Sequence, residues 1–159
     1  MAEEKNKKKQ VMVAIDESKC SQHALQWTLE YLKDSIADSA FIIFTAQPPL
    51  DLSCVYASPY AAVPGELITS MQEIYKNDAL NRLEEGNKIC AAVGVTPKKV
   101  LENGNPKETI CDAVEKLGVD LLVVGSHGKG ALQRTFLGSV SNYCVNHAKC
   151  PVLVVRTKA

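Results

Sequence analysis

The segment Asp120-Leu121-Leu122-Val123-Val124-Gly125-Ser126-His127-Gly128-Lys129-Gly130, with Gly138-Ser139-Val140-Ser141 following eight residues later, decides how this chain is read. Residues 120–124 are a short apolar run that suits a strand buried on both faces of a sheet. Residues 125–138 then read as a glycine-punctuated loop, and residues 139–147 as a helix. In an open α/β sheet, ligands gather where a strand hands over to a helix at the carboxyl edge.

Working outward, the same alternation recurs. Residues 11–15 are a β-branched run ending at Asp16, with Ser18 placed to cap a helix. In that helix Cys20, Ala24, Leu25, Thr28, Leu29 and Leu32 recur at three- and four-residue spacings, giving one buried stripe. Residues 40–46 form a second interior strand. From residue 66 to about residue 93, Leu67, Met71, Ile74, Ala79, Leu83, Ile89 and Cys90 predict one long helix, with Gly86 as its weak point. Residues 98–102 are a short strand, and Pro106 opens a helix that Gly118 closes. Residues 151–155 are the last strand. The order β-α-β-α-β-α-β-α-β predicts a five-stranded, mainly parallel sheet with helices on both faces, an α/β doubly wound fold.

The chain has 159 residues, enough for one domain and too few for two. Residues 10–157 are expected to form it, behind a flexible lysine-rich tail at residues 1–9. With 18 Lys plus Arg against 18 Asp plus Glu, no bulk charge draws the protein to nucleic acid or an acidic membrane. The six cysteines, at positions 20, 54, 90, 111, 144 and 150, include no C-x-x-C pair and are expected to be reduced. No apolar run approaches the roughly twenty residues that span a bilayer. A cytoplasmic location is expected, with a nuclear one left open by the lysines near the start.

The chemistry concentrates in the loop. Glycines let backbone N–H groups turn toward a phosphate, and the helix beginning at Ser139 offers free N–H groups at its positive end. Ser139 and Ser141 add hydroxyls beside Val140. The loop is not a Walker motif, because Ala131 and Leu132 stand where Lys and Ser/Thr belong, and no G-x-G-x-x-G follows the first strand. If the first and fourth strands are neighbours, Asp16 lies beside Gly125, where a carboxylate suits a ribose hydroxyl or a divalent ion such as Mg on bound phosphates. Helix capping is the competing reading for Asp16.

The spacing Gly125, two residues, Gly128, nine residues, Gly138, then Ser139 resembles the nucleotide-binding, plant-type branch of the universal stress protein family. The resemblance extends through Val-Ala-Ile-Asp-Glu-Ser at 13–18 and Cys-Pro-Val-Leu-Val-Val at 150–155. It implies strand order 3-2-1-4-5 and a bound ATP, ADP or AMP, in a protein acting as a stress-related sensor or switch. It further implies adenine near Ala14, Ile15 and Ala46, ribose at Asp16, and phosphates on Gly128, Gly138, Ser139 and Ser141. His127 reads either as a phosphate contact or as a solvent-facing residue, with Lys129 and Arg134 as solvated neighbours.

Slow Mg-dependent ATP hydrolysis and a ligand-free dimeric scaffold are the alternatives to a binding function. The last strand, apolar on successive positions, predicts a homodimer through that edge, and the family resemblance points the same way. Residues 47–64 hold four of the seven prolines together with Tyr56 and Tyr60, and read as a cover over the ligand, a surface for an unknown protein partner, or packing on the domain. Cys144, His147 and Cys150 fall three apart but supply only three donors, so packing outweighs zinc. Cys20 and His23 are not read as a catalytic pair.

Overall fold

The computed structural model describes residues 7–53, 63–127 and 137–157. Its elements run β1 (Gln10–Ala14), α1 (Lys19–Tyr31), α2 (Lys33–Ile36), β2 (Ala40–Gln47), α3 (Gly65–Ala91), β3 (Lys98–Asn103), α4 (Pro106–Leu117), β4 (Leu121–Gly125), α5 (Ser139–His147) and β5 (Val152–Val155). The five strands are all parallel, in the order β3-β2-β1-β4-β5. β1 is central, pairing with β2 from Gln10↔Ala40 to Ala14↔Phe44 and with β4 from Val11↔Leu121 to Val13↔Val123.

The apolar runs are continuous because both sheet faces are covered. Successive side chains point to opposite faces. Val11, Val13 and Ile15 therefore join Leu25 and Leu29 of α1 and Leu83 and Cys90 of α3 in one cluster. Met12 and Ala14 join Ile110, Ala113 and Val114 of α4 and Cys144 of α5 in the other. The fold is the doubly wound one, and its strand order reverses between β1 and β4, which opens a crevice at their carboxyl ends.

Three features depart from the sequence pattern. The first helix stops at Tyr31; Leu32 takes φ −112° and ψ 5°, and the one-turn α2 follows, turning Ile36 into the core. α3 runs unbroken through Gly86, where an added Cβ would stand 3.1 Å from Ile43 Cδ1 and 3.2 Å from Ile15 Cδ1. The glycine there serves close approach of helix to sheet rather than a bend. Finally, the first buried residue of α3 is Ala79. A helix of 27 residues is about 40 Å long, longer than the strands beneath it, so its first half, with Leu67 and Ile74 exposed, reaches beyond them.

Candidate functional site

At the end of β1 the chain turns sharply into α1. Ser18 caps α1 by accepting the Ser21 N–H at 3.2 Å, and the Asp16 carboxylate holds that turn by accepting the Ser18 N–H on Oδ1 at 2.8 Å. The Asp16 N–H in turn donates to Ser21 Oγ at 3.0 Å. Asp16 is thus not the helix cap. Its Oδ2 takes no hydrogen bond from the described residues.

At the end of β4 the sequence pattern had left Ser126 unremarked, although it lies inside the decisive loop. It is 2% exposed and works as a hub. Its N–H donates to Val155 O at 3.0 Å, and its carbonyl accepts the Gly138 N–H at 2.7 Å and the Ser141 hydroxyl at 2.9 Å. Its own Oγ lies 3.1 Å from His127 Nδ1. The two ends of the loop are therefore stitched together, so that the head of α5 is held against the end of β4. Ser141 spends its hydroxyl hydrogen inward on Ser126 O and Gly138 O. Ser139, which is exposed, is the hydroxyl left facing outward. No side chain among the described residues caps α5, so its first-turn N–H groups suit an anion.

Gly125 has a separate reason to be glycine. A Cβ there would come within 2.8 Å of the Cys20 carbonyl carbon and 2.9 Å of its oxygen, both backbone atoms of α1. The missing side chain lets α1 press onto β4. Gly138, by contrast, sits at φ −62° and ψ 164°, a conformation open to any residue.

These elements enclose one cavity of about 510 Å³. Ala14, Ile15 and Asp16 enter it from the β1 end, Ala46 from β2, Gly125 and His127 from the β4 end, and Gly138, Ser139, Val140 and Ser141 from the α5 end. Phe44, Ile110 and Val124 make the remaining wall largely apolar. One side is thus suited to a flat apolar ring, and the other presents a helix head with a carboxylate close by. The structure brings together every site residue expected from the sequence except Gly128, which lies outside the described residues, as do Lys129, Gly130, Arg134, Tyr56 and Tyr60.

The other singled-out side chains fall elsewhere. His147 stacks on Tyr143 with ring centroids 4.0 Å apart, and its Nδ1 lies 3.0 Å from Tyr143 O. Burial pushes the Cys144 thiol up to about 12, and it also raises Cys111 and Cys150. Among the described residues no group of three His, Cys, Asp or Glu side chains could hold a metal ion. Cys20 Sγ lies 3.7 Å from Thr157 Oγ1. Of the 47–64 segment, Pro48 also lines the crevice cavity, and with Leu50 and Leu52 it lines a second groove against Ile68 and Leu101. No helix among the described residues is long and apolar enough to cross a membrane.

Comparison with known proteins converges on one group. Residues 8–156 match the model of the universal stress protein family. A universal stress protein A-like protein of Arabidopsis thaliana is 32% identical, over 94% of this chain and 90% of that protein. Among solved structures, a universal stress protein family protein from Arabidopsis thaliana with AMP bound superposes with a TM-score of 0.68 at 29% identity, covering 95% of this chain and 93% of that one. A universal stress protein in complex with cAMP superposes with a TM-score of 0.63 at 25% identity, covering 95% of this chain and 98% of that one.

Proposed function

The chain belongs to the universal stress protein family, and from that premise we propose that it binds one adenine nucleotide, ATP, ADP or AMP, in the β1/β4 crevice as a sensor or switch. The observation that carries this reading is the uncapped head of α5, held by Ser126 over a cavity whose other wall is apolar. Adenine lies against Ala14, Ile15 and Ala46, and ribose meets Asp16 Oδ2. The phosphates take the N–H groups of Ser139, Val140 and Ser141 and the Ser139 hydroxyl, with Gly125, His127, Gly128 and Gly138 around them. Mg riding on a triphosphate would approach on the Asp16 side. Relatives solved with AMP and with cAMP support an adenine ligand of this class.

The same reading includes a homodimer through β5. The sheet has two edge strands. β3 carries Lys98 and Lys99 exposed on its edge, a common guard against pairing, whereas β5 is Val-Leu-Val-Val. A second copy is the partner whose edge matches it.

Calorimetric titration of nucleotide-free protein with AMP, ADP, ATP, cAMP and GMP tests the proposal. One adenine nucleotide per chain, with GMP weaker, is expected. Absence of heat and of amide chemical-shift changes with millimolar ATP or AMP would overturn it.

A further inference from the structure

The β5 edge is too short to hold two chains by itself. Its four residues span about 13 Å, so in a sheet about 10 Å thick the paired edge is a ribbon of roughly 130 Å². A stable interface covers about 800 Å² on each partner. Val152, Leu153 and Val154 are half-buried, so the strand's own chain leaves both of its faces partly open. Apolar surface on the elements that flank β5 has to supply the rest.

Such surface is present on both faces of the sheet. α1 packs across β4 and β5, and Cys20 Sγ lies 3.7 Å from Thr157 Oγ1, just past the end of β5. Trp27 and Tyr31 follow Cys20 by seven and eleven residues, which puts all three on one side of the helix, the side that runs along β5. The Trp27 and Tyr31 rings stack with centroids 5.2 Å apart. Trp27 and Leu153 both pack against the cluster that holds Val155, whereas Tyr31 is left 64% exposed. On the other face, α5 turns Tyr143 toward α4, where the Lys107 ammonium sits over its ring. Val145, two residues on, is rotated by about 200° from Tyr143, away from α4 and toward the β5 side. It is 49% exposed.

Resting on the reading of β5 as a dimer edge, we propose that Trp27 and Tyr31 on one sheet face and Val145 on the other are the flanks of that interface, occupied by a second copy of this chain. Antiparallel pairing of two β5 strands about a two-fold axis perpendicular to the sheet keeps the α1 helices of both copies on one face and the α5 helices on the other. With strands about 4.8 Å apart, a helix over β4 and β5 stands about 5–7 Å from that axis, so the two α1 helices are about 10–14 Å apart. Helices in direct contact through ordinary side chains are about 8–10 Å apart. Two aromatic rings from each copy fill the difference, and Trp and Tyr are the residue types that carry most of the binding energy at interfaces.

The experiment is light scattering of the full chain over a dilution series, with the emission of Trp27, the single tryptophan, read on the same samples. The proteins are the parent, Tyr31→Asp, Tyr31→Phe, Val145→Asp and Val154→Pro, each with its melting curve. A charge carried into the buried flank by both copies should raise the dimer Kd by about 100-fold in Tyr31→Asp. Val145→Asp should raise it by about tenfold, and Tyr31→Phe, which keeps the ring, should stay within about threefold of the parent. Trp27 emission should move to shorter wavelength as the parent dimerises, and should stay at the monomer position in Val154→Pro at the same concentration. Should Tyr31→Asp fail to fold, Val145→Asp on the opposite face and the Trp27 emission of the parent carry the test. A dimeric parent whose folded Asp variants are equally dimeric, or whose Trp27 emission is the same in dimer and monomer, would overturn the flanks and leave the edge pairing standing. A parent of one chain mass at every concentration removes both.

Discussion

Ser141 donates its hydroxyl to the carbonyl oxygen of Ser126 across 2.9 Å, joining the first turn of α5 to the end of β4 over a span of fifteen residues. With the Gly138 N–H on the same carbonyl at 2.7 Å, this pair sets where the helix head sits. The first-turn N–H groups of α5 are therefore held in place without a ligand, which would lower the ordering cost of binding an anion there.

The two serines of the α5 head consequently separate stability from binding. Ser141→Ala removes a buried bond but leaves Ser126 O still served by the Gly138 N–H, so it should cost about 1 kcal/mol of folding stability. Ser139→Ala removes an exposed hydroxyl, and should leave stability within about 0.5 kcal/mol while weakening AMP binding several-fold. Urea unfolding and calorimetric titration of both variants check the division. The reverse pattern, with Ser139 carrying the stability, would reject it.

Gly125 should be intolerant for a reason that involves no ligand. An alanine Cβ would meet the backbone of Cys20 at 2.8 Å, and backbone yields less readily than the end of a side chain. Overpacking of this kind costs about 1–3 kcal/mol. Gly125→Ala is expected to lower the urea midpoint by a corresponding amount in nucleotide-free protein. An unchanged midpoint would mean that α1 moves aside without cost.

Local signals made much of this architecture legible. The start of α4 was readable from Asn105-Pro106 and its end from Gly118, because cap and terminator lie within the element itself. The head of α5 was readable because Gly138-Ser139 marks it. What stayed hidden depends on distant partners. Arg82 bonds Thr45 from 37 residues away, and nothing near either residue announces the other. Ser126 looked like an ordinary loop serine, since its role is set by Val155, Gly138 and Ser141. Gly125 was legible as a glycine at the carboxyl end of a strand, but the pressing of α1 against it was visible only in three dimensions.

The buried thiols predict an alkaline limit. Burial pushes Cys144 from its ordinary 9.0 up to about 12 and Cys90 up to about 11. A folded-state value raised above the unfolded one means that the unfolded chain releases its protons first. The stabilising contribution is whole below about pH 9 and is lost as pH rises toward 11 for Cys90 and 12 for Cys144. The melting temperature should therefore fall from about pH 9 upward, and less steeply in Cys144→Ala, whose starting stability is lower because of the cavity it leaves. Melting curves between pH 7 and about pH 11 test this. Identical pH slopes in parent and variant would assign the alkaline loss to other groups.

The dimer edge can be tested at single backbone groups. In β5 the carbonyls of Pro151 and Val155 face β4, where they accept the N–H groups of Leu122 and Ser126. In a parallel strand a residue's N–H and C=O point to the same side, so Val152 and Val154 turn theirs toward the open edge. Antiparallel pairing of two copies would use those groups twice over, once from each chain. Val154→Pro removes one outward donor per chain while leaving the bonds to β4 in place. Two lost hydrogen bonds per dimer, at roughly 1 kcal/mol each, predict dimerisation weakened by about 10- to 100-fold, as a rise in Kd. Light scattering of the parent at low micromolar concentration should give twice the 17.3 kDa chain mass, and Val154→Pro should shift toward one chain mass with its melting curve still cooperative. Val154→Thr, which keeps the N–H, should remain dimeric. A parent of one chain mass at all concentrations, or a Val154→Pro variant as dimeric as the parent, would place any self-association on another surface.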